Sequence, residues 1–478
     1  MRINNNMSAV ITNNQLLGTE NSLADVMEKL SSGFSINHAS DNPSGIAIAG
    51  KMQAQIEGLS QASTNGSDGI SVLQTAEGAL NEVTDMIQRM RELSVQAANG
   101  TNSLSDKQSI QKEIDSLLEE IDRVADTTEF NSINLLNGSL DNRTYGEHAT
   151  RIQTSTAVPA GTYTVKIEKA AEQAKVGGTA LFLNGDTELS MGGEVIINGY
   201  GITLAAGMSR EGVYEAMRDA CEHGGAQITN PDDVIQINSL KYGANANLKI
   251  EFSSIDFAVA LGFTEAATAP VGDNGAPILE DTGFDAVMYL DTVEPSMFGP
   301  QATVNKDGNH MTITDTNGFK FSFLVEAGFD ETTDPDGLGI INFNVTDIGS
   351  MTLHVGANKN QNMEVRIAAV TTEFMYIDDL DVTRKDGAED ALDSLDTALS
   401  YVTSVRSQLG AYENRLDHTT KSLDTTEENM TSAISRIEDA DMATTMVEYT
   451  RLNVLEQAGT SALAQANELP QLALQLLQ

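Results

Sequence analysis

At 478 residues the chain is longer than one ordinary compact domain, and roughly two to four domains are expected. Lys and Arg total 28 against 69 Asp and Glu, a net charge of -41 that argues against nucleic acid or an anionic membrane as the main partner. Cys221 is the single cysteine, which excludes an internal disulfide framework and a thiolate metal cluster.

The start, Met1-Arg2-Ile3-Asn4-Asn5-Asn6, is polar and leads into no apolar run, so any export is expected to proceed without a cleaved signal. No stretch is apolar for long enough to span a bilayer, and no membrane insertion is expected. Within the first 140 positions the only aromatic residues are Phe34 and Phe130, so this region must pack through aliphatic side chains, as long helices in bundles do.

Asn42-Pro43 reads as an N-cap followed by proline at the first helical position, opening a helix through Ile46, Met52, Ile56 and Leu59. Leu73, Ala76, Leu80, Val83, Ile87, Met90, Ser94 and Ala97 then recur at steps of three and four, a coiled-coil seam. Arg89, Leu93 and Gln96 are expected to flank this seam as an outward stripe, with Asp85 paired to Arg89 four residues on, worth about 0.3 to 0.5 kcal/mol. A leucine between two polar positions makes that stripe a candidate interface. After a break at Asn99-Gly100-Thr101-Asn102, Ser105 and Gln108 read as a capping box for a second helix with Ile110, Ile114, Leu117, Ile121 and Val124 inward.

From about residue 139 the chain turns strand-rich and rich in Gly and Asp. Period-two patterns predict strands over 161–169, 194–205, 233–240, 246–252, 310–315 and 319–326, a tight hairpin at Asn198-Gly199 and one short helix over 209–223. Residues 265–350 carry 15 Asp and Glu against Lys306 and Lys320 alone, the balance of a solvent-facing outer domain.

From about residue 386 helical periodicity returns through Leu392, Leu395, Leu399, Val402, Val405, Leu409, Tyr412, Leu416, Thr419, Leu423, Thr426, Met430, Ala433 and Ile437. A seam of this length needs partners, and the helices of the other chain end are the natural ones. Beyond Arg451 the only charges are Glu456 and Glu468, so something outside the monomer is expected to cover this end. The expected fold is mainly α at both chain ends, as long coiled-coil helices packed together, with an inserted β-rich, α+β middle domain.

Catalytic chemistry finds little footing. The six histidines show no metal-ligand spacing, no phosphate loop is present, and "GYGITLAAG" is not followed by a dinucleotide-type helix. The acidic loop "DETTDPDGLG" (330–339) lacks the spaced ligands and terminal Glu of a calcium loop and reads as a solvated turn. Cys221 has no base placed near it by sequence and reads as an inert small side chain. No enzyme activity, cofactor or metal is expected.

Several long motifs, in order and at opposite ends, resemble those of the bacterial flagellins: "LSSGFSINHASDNPSGIAIAGKM" (30–52), "RMRELSVQAANGTNS" (89–103), "IQKEIDSLLEEIDRVADTTEFN" (110–131), "LGAYENRLDHT" (409–419), "SRIEDADMA" (435–443) and "QAGTSALAQANELPQLALQLL" (457–477). The resemblance covers nearly half the chain. It implies an inner filament-core helical domain from 1–44 plus 438–478, a helical rod from 45–172 plus 352–437, and a variable surface domain from 173–351. It further implies a helical homopolymer with its own copies as partners, a flagellar secretion chaperone, filament cap and hook-junction proteins, and location in the extracellular filament. Recognition by Toll-like receptor 5 is also implied, at the motif positions Arg89, Leu93, Gln96 and Glu113. Phe34-Ser35 stands where the family usually has a leucine-arginine pair, so no family ion pair of that loop is carried over. The rival readings are a hook-filament junction protein, which should lack the "AQANELPQ" ending, and a flagellin whose middle domain carries an added binding or enzymatic role.

Overall fold

The computed structural model describes residues 6–155, 158–180, 188–229, 234–272, 276–290, 297–299, 301–334, 337–346, 349–384 and 386–475. Among them run seven α-helices: α1 (Met7–Ser32), α2 (Pro43–Ala98), α3 (Leu104–Thr127), α4 (Arg210–His223), α5 (Ile255–Leu261), α6 (Gly387–Glu438) and α7 (Met442–Gln475). The chain divides into two compact units, Met1–Ile70 with Leu353–Met363 and Asn414–Gln478, and Ser71–Thr352 with Glu364–Glu413.

In the first unit both chain ends pair as helices. The Asn6 side chain caps α1 by accepting the Ala9 N–H at 3.1 Å, and its amide donates to the Ala466 carbonyl of α7 at 2.8 Å. Gly33 ends α1 at φ +79°, a left-handed turn that its missing Cβ permits. The loops beyond are tied by Ser35 N–H to Glu438 O at 2.6 Å and Ala440 N–H to Gly33 O at 2.9 Å. The expected Asn42-Pro43 start of α2 is present, the Asn42 side chain accepting the Gly45 N–H at 2.9 Å. At Gly69 of α2 an added Cβ would meet Leu353 at 2.5 Å and Leu416 of α6 at 3.2 Å, so glycine allows a close approach there.

In the second unit the later part of α2, α3 and the early part of α6 form a bundle. Leu73, Ala76, Leu80, Val83, Ile87, Met90, Ser94 and Ala97 are all buried, as the seam periodicity predicts. The buried stripe is wider than a two-helix seam: Val72, Thr84 and Leu93 lie in it as well, because α2 faces two helices rather than one. Leu93 is therefore inward, 2 % exposed, and not part of an outward stripe. On α3 the inward set is Ile110, Ile114, Leu118, Ile121 and Ala125, while the expected Leu117 and Val124 sit half-buried beside it. On α6 Ala391, Leu395, Ala398, Val402, Val405 and Leu409 are buried, with Leu392 and Leu399 half-buried. The cap of α3 also lies two residues upstream of the expected Ser105-Gln108 pair. Ser103 accepts the Asp106 N–H at 3.3 Å and Asp106 accepts the Ser103 N–H at 3.0 Å, a capping box in which aspartate replaces the longer acid.

The middle folds into antiparallel sheets around two aromatic-rich cores. One sheet orders 278–282, 247–252, 193–197 and 200–204, and a three-stranded sheet orders 173–180, 234–242 and 226–229. With α4 and α5 they enclose Phe252, Phe257 and Phe263. The expected hairpin is present, with Asn198 at φ +49° and Gly199 at φ +85°, the positive pair a two-residue turn requires. Two further sheets, 287–290, 161–169, 340–345, 144–146 and 303–307, 310–314, 320–325, 149–154, enclose Tyr163, Phe321, Phe323 and Phe343. Strand periodicity did not single out 144–146, 149–154, 173–180, 226–229, 278–282, 287–290, 303–307 or 340–345, which are short, glycine-bearing or lack strict alternation. Residue 233 of an expected strand and residues 335–336 of the acidic loop lie outside the described residues.

Bundle and sheets meet where the turn after α3 docks. Leu135, Leu136 and Leu140 are buried, and the segment opposite donates from Val370 N–H to Leu136 O at 2.8 Å and from Ile367 N–H to Leu140 O at 3.3 Å. Tyr401 of α6 donates its hydroxyl to Ala369 O at 2.8 Å. Burial at this junction pushes the Asp141 carboxyl up to about 6, against the opposing pull of the Asn142 N–H and the Arg366 charge. Ionising a group whose folded pKa is raised costs stability, and the cost sets in as pH climbs from near 4, where unfolded aspartate ionises, to about 6. Asp141→Asn is therefore expected to stabilise the second unit at pH 7 by about 3 kcal/mol. The gain should vanish below pH 4, and thermal unfolding of both proteins across that range checks it.

Candidate assembly and recognition surfaces

The two arginines of 89–92 brace the bundle in two directions. Arg89 donates to Glu113 Oε1 of α3 from Nη2 at 2.8 Å and from Nε at 3.1 Å, and from Nη1 to Glu92 at 3.1 Å. Arg91 Nε donates to Asp396 of α6 at 2.7 Å. Asp85 is not the partner of Arg89; the partner four residues back loses to Glu113, which crosses from the neighbouring helix, and to Glu92 one turn on. The Glu113 hydrogen bond, then that of Glu92, holds the Arg89 guanidinium above its ordinary value. All three side chains remain about half or more exposed, so the cluster is a surface feature whose ion pairs are screened by solvent and add little to stability.

Of the four expected site residues, Arg89 and Glu113 are in direct contact, Gln96 is exposed two turns along α2 from Arg89, and Leu93 is buried beneath them. Beyond Gln96 the helix is closed by Asn102, whose side chain donates to the Gln96 carbonyl at 2.5 Å. Val95, absent from the expected set, is exposed on this part of α2. A strict two-helix seam places Leu93 outside, and only the presence of a third helix brings it in.

The first unit carries a second surface of a different kind. Along α1, Met7, Val10, Ile11, Leu17 and Met27 are exposed, and only Leu16 is buried. Along α7, Met442, Met446, Val447, Val454 and Leu455 are exposed, Val447 at 70 %. Met446, Val447, Thr450, Arg451, Val454 and Leu455 line one shallow groove. Beyond Arg451, where the sequence leads one to expect an uncovered apolar end, Val454 and Leu455 are exposed, but Leu452 and Ala466 are buried and Leu463 is half-buried; the side chains of 469–475 and residues 476–478 lie outside those described. A monomer seldom leaves so many large apolar side chains in water along two paired helices unless another surface covers them.

The loop carrying Phe34-Ser35 is held by hydrogen bonds and by His38 Nε2 against Glu28 Oε1 at 2.9 Å. The Ser35 hydroxyl donates to Ile437 O at 3.3 Å, Phe34 bridges to Asp439, and Asp41 accepts the N–H groups of Asn37 and His38 at 3.0 and 2.9 Å. In the acidic loop, Asp330 Oδ1 accepts the Thr332 hydroxyl and the N–H groups of Thr332 and Thr333, which brings its carboxyl down to about 2 and fixes it as the cap of a turn. Burial pushes the Cys221 thiol up to about 12, far from a reactive thiolate.

The profile of the bacterial flagellin N-terminal helical region matches residues 3–141, and that of the C-terminal helical region matches residues 392–477. A flagellin of Salmonella typhimurium is 32% identical, the match covering 99% of this chain and 99% of that protein. The chain belongs to the bacterial flagellins. A flagellin of Clostridium tyrobutyricum is likewise 32% identical, over 98% of this chain and 99% of that one, and flagellin A of Vibrio cholerae is 31% identical over the full length of both. This flagellin is thus a structural subunit of the extracellular flagellar filament, a self-assembling homopolymer. Its two profile matches contain both exposed apolar helices and all of the bundle but the first residues of α6.

Proposed function

We propose that this flagellin assembles by burying the apolar faces of α1 and α7 against neighbouring subunits. The observation that carries the reading is the concentration of exposed large apolar residues on those two helices, while the α2, α3 and α6 seam is already buried. Burial releases about 25 cal/mol per Å² of apolar surface, against the ordering of side chains and termini. The contact is head-to-tail and does not close, so it propagates as a fibre. In this reading 1–44 with 438–478 form the inner core domain, 45–172 with 352–437 the rod, and 173–351 the variable surface domain. Export runs through the flagellar secretion apparatus with a chaperone, and growth proceeds beneath the cap from the hook-junction proteins. Deleting residues 459–478 is expected to abolish filament growth while the unfolding transition of the bundle persists. Filaments of ordinary length from the truncated protein, seen by electron microscopy, would sink the assembly reading.

The charged cluster on α2 and α3 supports a second role of the free subunit, recognition by Toll-like receptor 5 through Arg89, Gln96 and Glu113, with Leu93 holding the surface from below. An exposed Arg and Glu in mutual contact are weakly committed to each other, so a partner can recruit either charge at small cost. Arg89→Ala and Glu113→Ala are each expected to weaken receptor binding by about 1–2 kcal/mol, roughly five- to thirty-fold in Kd. The double variant should fall short of the sum, since the two groups touch. Unchanged affinity in a direct binding measurement removes these residues from the site.

A further inference from the structure

Four methionines on α1 and α7 stand apart from those packed in the interior of the protein. Met90, Met217 and Met311 are fully buried and Met288 and Met375 nearly so, beyond reach of a dissolved oxidant. Met7 and Met27 on α1 and Met442 and Met446 on α7 are instead each about half exposed, and all four lie on the helices that carry the unpartnered apolar surface. Met442 and Met446 are one turn apart, and Met446 lines the groove with Val447, Val454 and Leu455. A flexible thioether suits a face that must fit a neighbour, and it is also the one side chain there that a mild oxidant converts from apolar to polar.

We propose that Met7, Met27, Met442 and Met446 are reversible oxidation sites through which a peroxide switches off polymerisation of the free subunit. The step balances: a sulfur lone pair attacks one peroxide oxygen, the O–O bond breaks, an S–O bond forms, and the displaced hydroxide takes up a proton to leave as water. Sulfur loses two electrons and the peroxide gains them. Reduction by a dithiol returns the thioether, the thiols becoming a disulfide with release of water. The sulfoxide oxygen is a strong acceptor on a face that is dry once assembled, and leaving it without a donor there opposes burial. Polymerised subunits bury these sulfurs and are protected, so the switch acts before incorporation. This inference rests on the assembly reading for α1 and α7.

The test uses full-length protein treated with hydrogen peroxide, with sulfoxides located by peptide mass spectrometry and polymer yield measured by sedimentation. Oxidation is expected at these four positions and also at Met191 and Met297, the similarly exposed methionines of the second unit, which lie off the apolar helices and serve as comparison sites. The critical concentration for polymerisation should rise about ten-fold or more, and treatment with methionine sulfoxide reductases should restore it. A variant carrying leucine at all four positions should polymerise equally before and after peroxide. The proposal is overturned if the subunit is oxidised at these positions and polymerises undiminished, if reductase treatment removes the sulfoxides without restoring assembly, or if the leucine variant loses assembly to the same degree as the parent. Should the leucine variant not assemble at all, oxidation and reductase rescue of the parent decide the matter unaided. Failure of the untreated parent to polymerise would instead overturn the assembly reading beneath it.

Discussion

Replacing Val447 and Val454 together by aspartate is expected to abolish filament growth and to leave the folding of the isolated subunit almost unchanged. Both side chains are more than half exposed, so in the free subunit each substitution exchanges one solvated group for another and falls within about 0.5 kcal/mol in stability. In the assembled state the same carboxylates would lie on a face covered by a neighbour. Burying an unpaired charge costs several kcal/mol even after relaxation, and two such charges on every subunit repeat that cost at each addition. The sparse charge of α7 makes the penalty harder to escape: Arg451, the one cation lining the same groove, is already engaged by Glu448, and beyond it the chain has no Lys or Arg. Sedimentation and electron microscopy under polymerising conditions read the first half of the expectation, and circular dichroism on melting reads the second. Filaments from the double variant would mean that another face drives assembly.

The physical origin of that face was partly legible in the sequence. Periodicity of large apolar residues located both terminal helical zones and the inward line of α2. It misjudged positions where the number of packing partners decides. Leu93 reads as outward in a two-helix seam and is inward once α3 and α6 both contact α2, which also buries Val72 and Thr84. On α3 a ladder drawn through large residues selects Leu117 and Val124, whereas close packing is served by Leu118 and the small Ala125. Ala391 and Ala398 of α6 escape the same ladder. Small residues give no periodic signal of their own, and their burial follows from how near the neighbouring helix comes.

The charges show a second limit. Sequence spacing supplied Asp85 as the partner of Arg89, since residues four apart are neighbours on any helix. The structure gives Arg89 to Glu113, twenty-four positions away, and Arg91 to Asp396, more than three hundred away. Such pairs depend on the order of helices around the bundle. The shift of the α3 cap from Ser105 to Ser103 has a local cause instead: an aspartate three residues after serine closes the box as well as a longer side chain does, and the chain takes the earlier opportunity.

The seam itself sets the stability of the subunit, and Leu80→Ala is expected to expose how much. Leu80 is fully buried on α2, with Ala76, Val83, Thr84 and Ile87 buried around it along the same helix. Removing its isobutyl group forfeits the transfer of that surface from water and leaves a void that helices held on two sides cannot easily close, a loss of about 2–5 kcal/mol. No Phe, Tyr or Trp occurs between Phe34 and Phe130, so neither α2 nor α3 has a large ring to rotate into the gap, and Tyr401 of α6 is held by its hydroxyl bond to Ala369 O. The loss should lower the thermal transition of the bundle, while the aromatic cores of the sheets, with their own Phe321, Phe323 and Phe343 cluster, report it only if the second unit melts as one. Far-ultraviolet dichroism follows the helices and near-ultraviolet dichroism follows those rings. Coincident shifts would establish a single cooperative unit, separate shifts would place the bundle as an independent folding element, and a loss below about 1 kcal/mol would contradict a close-packed seam at this position.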